Sequence, residues 1–131
     1  MSPEVAGYLA KAWEDLDEAR QIAAIGLAKA AARSAYYAAF HAAEALIFQR
    51  TGKIAKTHSG VRSEFARLAK EGGDLDRAHV ALLGEAYKYK EIGDYGIGPD
   101  AVVELSDAQA LVSKAQAMIA AVAEVLLRSQ D

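Results

Sequence analysis

Apolar residues recur along much of this 131-residue chain in alternating steps of four and three, which restricts its fold more than any other feature. Val5, Leu9, Ala12, Leu16, Ala19 and Ala23 follow that spacing near the N-terminus, and Ala108, Val112, Ala115, Ile119, Val122 and Leu126 repeat it near the C-terminus. A helix of 3.6 residues per turn places each set on one face, whereas a half-buried strand needs strict alternation. Thirty alanines against two prolines favour helix wherever this spacing holds and argue against a mostly β fold.

Capping and breaking residues divide the pattern into five helices. Ser2, Pro3 and Glu4 supply an N-cap, a first helical residue with φ already set, and a negative charge at the positive end of the dipole. The first helix should stop near Gly26. A second is predicted from about Leu27 to Thr51, closed by Gly52, and a third from about His58 to Glu71, with Val61, Phe65 and Leu68 inward. Asp74 is the expected cap of a fourth helix with the stripe Leu75, Ala78, Leu82, Ala86 and Tyr89, ending near Gly93. Asp94 to Asp100 reads as a glycine- and proline-rich loop, and Ser106 to Gln109 as the capping box of the fifth helix. Short connections between five helices predict an all-α, up-and-down bundle in one domain spanning 1–131, with sequential neighbours mostly antiparallel. Alanine gives each helix a thin side-chain layer, so pairing with a second copy is an expected source of further stability.

The chain has no cysteine, which removes disulfides, thiolate metal sites and cysteine nucleophiles and fits a cytoplasmic setting. No secretory leader and no uncharged apolar run of about 18 residues is evident, so no membrane association is expected. Net charge is −3 overall. From Lys29 to Arg62, however, six basic residues face the single Glu44, while from Glu85 to Asp131 eight acidic residues face four basic ones. That basic segment suits either a local anion site or merely solvated helix faces.

The segment RSAYYAAFHAAEALIF, residues 33–48, concentrates the chemistry. Tyr36, Phe40, Ala43 and Ile47 make a packed ridge. Arg33, Tyr37 and His41 make a second, polar ridge one turn apart each, continued by Glu44 and Phe48. A guanidinium grips phosphate in a fork and an imidazole titrates near neutrality, so this ridge fits an anion-binding or acid–base face. It also fits an arginine stacked on Tyr37 beside a satisfied, half-buried histidine, the simpler account. His41 and Glu44 form a single carboxylate–histidine pair, too few ligands for a di-metal bundle site, and no metal or other cofactor is expected. His58 and Arg62, four apart at the start of the third helix, suit either a phosphate site or a plain capping sequence; His79 fits a core or interface position.

Three stretches, RSAYYAAFHAAEAL at 33–46, KTHSGVRSEF at 56–65 and KYKEIGDYG at 88–96, together resemble the HEPN domain (higher eukaryotes and prokaryotes nucleotide-binding) in its small stand-alone prokaryotic branch. The resemblance implies an all-α bundle, usually a homodimer, often encoded beside a minimal nucleotidyltransferase. In many members it implies a metal-independent ribonuclease toxin with an arginine followed, four to six residues on, by a histidine; some partners silence the toxin by adenylylating a tyrosine just after that histidine. Here Lys90 stands at the arginine position and Asp94 near the histidine, with Tyr95 following. Lysine is a point charge and aspartate an ionised base that repels phosphate, so the nuclease signature is not matched and no catalytic residue is assigned. The resulting expectation is a non-hydrolytic module binding a nucleotide, RNA or a nucleotidyltransferase in a toxin–antitoxin type of system. Its candidate ligand residues are Arg33, Tyr37, His41, Lys88, Lys90, Asp94 and Tyr95, with Tyr95 expected to pack the helix end. The alternatives are a diverged ribonuclease toxin and a dimeric scaffold without a ligand.

Overall fold

The computed structural model describes residues 1–128; Asp131, counted above in the acidic C-terminal segment, lies outside them. Five helices follow one another: α1 Pro3–Ala24, α2 Ala28–Thr51, α3 His58–Gly72, α4 Arg77–Tyr95 and α5 Leu105–Arg128. The all-α bundle expected from the spacing is what the chain forms.

Local chemistry accounts for most boundaries. The Ser2 hydroxyl accepts a hydrogen bond from the Val5 N–H at 3.2 Å, with Pro3 in the first turn. Gly52 closes α2 at φ 71°, where its N–H bonds the Phe48 carbonyl and a side chain would be strained. Thr57 caps α3 by accepting from Gly60 N–H at 2.9 Å. Two predicted starts move. Asp76, not Asp74, caps α4, because its carboxylate reaches the Ala78 N–H at 2.8 Å. α5 begins at Leu105, and the reciprocal bond runs from Glu104 N–H to the Asp107 carboxylate at 3.2 Å, leaving Ser106 inside the first turn. α4 also continues through Gly93 to Tyr95, so Asp94 and Tyr95 are helical rather than part of a loop.

The predicted stripes of α1 and α5 are buried, with Leu9 alone only partly so. On α4 the inward face is Leu82, Leu83, Ala86 and Lys90, while Ala78 is exposed. α2 packs against each of the other four helices and buries twelve residues, eight of them alanine. Small side chains all round a helix allow four neighbours to approach it at once.

The connection after α2 runs back along the bundle. His58 at the start of α3 touches Tyr36 in the first half of α2, and Gly72 at its end lies near Arg50. α3 therefore runs parallel to α2, while the other sequential pairs are antiparallel. This return places the start of α3 against the middle of α2 and the last half of α4. Among the described residues α5 is the one helix matching a membrane span in length and apolar composition, with a mean hydropathy of 1.6; its apolar stripe is buried against α2 and α1.

Candidate functional site

The polar ridge of α2 divides between two neighbours. Arg33 stacks on Tyr37, its guanidinium carbon 5.0 Å from the ring centroid, and its Nε lies 3.5 Å from the Asp94 carboxylate of α4. His41 turns the other way. Its Nδ1 is 2.7 Å from the Glu44 carboxylate and its Nε2 is 3.5 Å from Asp15 on α1. Burial raises the Asp15 pKa, and the nearby His41 only partly opposes this. His41 nevertheless shares with Arg33 and Tyr37 of its own ridge a groove of mixed charge, about 450 Å³, between α1 and α2, which Lys11, Asp15 and Glu18 line from α1. Arg33 is thus stacked on Tyr37 and His41 hydrogen-bonded to Glu44.

On α4, Lys90 is nearly enclosed, with 8% of its side chain exposed, and its ammonium is 3.2 Å from Asp94 and 3.3 Å from Glu91. Burial works against that charge, yet hydrogen bonds to Asp94 and Glu91 outweigh it and hold the Lys90 pKa above the ordinary lysine value. Asp94 therefore carries a cation from each of two helices. Lys88, two residues from Lys90 and so about 200° around the helix, is exposed beside Tyr89 and does not join them. Tyr95 does not pack the helix end as expected. It is 69% exposed, with the Lys90 ammonium 5.7 Å from its ring centroid.

The start of α3 brings in residues outside the set chosen from sequence. The Tyr36 hydroxyl is 2.6 Å from His58 Nδ1, and the imidazole lies among the rings of Tyr36, Tyr37, Phe40 and Tyr87. Burial raises the Tyr36 pKa, so the phenol stays protonated. Burial and then the cations Lys90 and Arg62 lower that of His58, so the imidazole is neutral at pH 7. The direction of this bond follows the imidazole tautomer: with the ring proton on Nε2 the phenol donates to Nδ1, and Nε2–H is then a neutral donor. One turn on, Arg62 lies over Tyr87 with its guanidinium carbon 4.4 Å from the centroid. The four-residue spacing of His58 and Arg62 signalled a shared face; the contribution of Tyr36 and Tyr87 had no sequence signal beyond composition. Among the described residues no group of three or more His, Asp or Glu is arranged to hold a metal ion.

The face where α2, α3 and α4 meet thus carries Arg33, Arg62 and Lys90 interleaved with Tyr37 and Tyr87. A model of the HEPN domain matches residues 5–125 of this chain. The chain belongs to the HEPN family. This HEPN domain is 32% identical over 111 residues to a UPF0332 protein of Archaeoglobus fulgidus, covering 81% of this chain and 87% of that one. It is 30% identical over 114 residues to a UPF0332 protein of Gloeobacter violaceus, covering 87% and 89%. A crystal structure, that of TT1696 from Thermus thermophilus, has the same fold at TM-score 0.80 and 26% identity, over 94% of this chain and 98% of that one. At the positions where the resemblance puts the nuclease arginine and histidine, this HEPN domain pairs Lys90 with Asp94.

Proposed function

We propose that this HEPN domain is a non-hydrolytic binding module for a nucleotide or nucleic acid, which it takes on the face shared by α2, α3 and α4. The observation that carries the reading is the convergence of Arg33, Arg62 and Lys90 from three helices on the rings of Tyr37 and Tyr87. Cations interleaved with half-buried aromatic rings suit a phosphate backbone with bases beside it. Hydrolysis at the family's position is disfavoured because a carboxylate, Asp94, stands near the histidine position and is paired with the lysine that replaces the arginine.

Fluorescence anisotropy with a labelled single-stranded RNA of about ten nucleotides tests this directly. Binding at low salt should weaken steeply as salt rises, and Arg33→Glu should lower affinity by about tenfold while leaving the circular dichroism spectrum unchanged. No binding of RNA or nucleotide at low salt, with an unmoved melting temperature, replaces the reading with a bare scaffold. RNA decay on expression, lost on changing Lys90 or Asp94, replaces it with a diverged ribonuclease.

A further inference from the structure

The three cations of this face differ in what already holds them. Asp94 bridges Arg33 and Lys90, and Glu91 adds a second carboxylate to Lys90. Arg62 makes no ion pair or hydrogen bond among the described residues, and its Nη1 is buried without a partner. Its one contact of note is the Tyr87 ring beneath it, itself raised in pKa by a hydrogen bond to Glu91. A guanidinium has five donors in a planar fork, and enclosing one without an acceptor costs stability. His58, four residues earlier on the same face of α3, is held by Tyr36 at Nδ1.

We infer that Arg62 and His58 form the subsite that grips the phosphate, with a phosphate monoester or diester of a nucleotide as its ligand. The inference rests on the proposed function and assigns the anion a place within it. Arg62 supplies a fork held against the Tyr87 ring, and His58, in the tautomer with its proton on Nε2, supplies an N–H that adds no competing charge. Lys90 and Arg33 contribute field, but an incoming phosphate there has to displace Asp94. The rings of Tyr37 and Tyr87 flank the His58 imidazole of this subsite.

The test compares Arg62→Met, Arg62→Lys and Arg33→Met against three probes: inorganic phosphate, ADP and the labelled RNA. Arg62→Met should lose about tenfold or more in affinity for whichever nucleotide probe the wild type binds, and Arg33→Met about threefold or less. Arg62→Lys keeps charge without the fork and should fall between. Unliganded Arg62→Met should melt at or above the wild-type temperature, because an unpaired enclosed charge has been removed. Loss at Arg62 toward ADP identifies free nucleotide as the source of the phosphate, and loss toward RNA alone a phosphodiester; either supports the subsite. Wild-type affinity in Arg62→Met with loss in Arg33→Met overturns the subsite and leaves the proposed function standing. A lowered melting temperature of the unliganded variant overturns it too, by making Arg62 a structural cation. No binding to any probe by the wild type removes both.

Discussion

His58 shows how one side chain depends on neighbours contributed by three helices. Tyr36 holds its Nδ1, while Lys90 and Arg62 disfavour its charge and Glu91 and Glu44 weakly favour it. Its folded pKa lies below the unfolded value of about 6.5, so between the two the unfolded chain binds more protons. The stability His58 contributes is then present above that value and is lost as pH falls through this window. Asp15, with its pKa raised, acts in the opposite sense, favouring the fold at low pH and losing that contribution as pH rises. Urea midpoints measured from about pH 7.5 to 5.5 should fall in the wild type, and His58→Gln should flatten that fall; an unchanged slope in the variant excludes His58 as its source. Contacts within one helix were legible in the sequence. Arg33 with Tyr37 and Lys90 with Asp94 are both four-residue steps, and both meet. Tyr36 and His58, 22 residues apart, meet only because the chain turns back after α2. That turn leaves no periodic mark.

Among the helices, caps decided boundaries better than apolar spacing did. Ser2, Gly52 and Thr57 act where their residue types suggest, whereas on α4 the expected cap Asp74 gives way to Asp76, which only the geometry selects. The α4 stripe drifted for a related reason. Tyr89 and Lys90 are adjacent, and the sequence favours burying the tyrosine, but two carboxylates satisfy the lysine and allow it inward. The cap of α3 carries particular weight because His58 and Arg62 follow it immediately. Thr57→Ala removes the acceptor for the Gly60 N–H and should cost about 1 kcal/mol in urea unfolding. It should also weaken RNA binding, since fraying of that turn releases both side chains. Unchanged stability and affinity would exclude Thr57 as the anchor of this end.

The bundle as a whole is organised around an alanine-lined central helix. Alanines 31, 32, 35, 38, 39, 42, 43 and 45 are essentially buried, so α2 meets its neighbours with little side chain between backbones. Such contacts tolerate deletion poorly and enlargement worse, because interiors are close-packed and the helices move apart as units. Ala39→Leu should destabilise by about 1–3 kcal/mol in urea unfolding. It should also reduce RNA binding by shifting α4 or α3 relative to α2; wild-type stability would mean that space exists beside Ala39.

Residue order was enough to set five helices, most of their ends, the inward faces of α1, α3 and α5, and the pairs that sit one turn apart, because hydrogen bonding and capping within a helix are local. Family membership was legible too, through the ordered segments at 33–46, 56–65 and 88–96. Packing settled the rest: that α3 runs parallel to α2, that His41 faces the carboxylates of α1 while Arg33 faces Asp94, and that Tyr36 and Tyr87 join His58 and Arg62. These are contacts between elements, set by the path of the connections and by which charges find partners once buried, and neither is written in the spacing of any one helix.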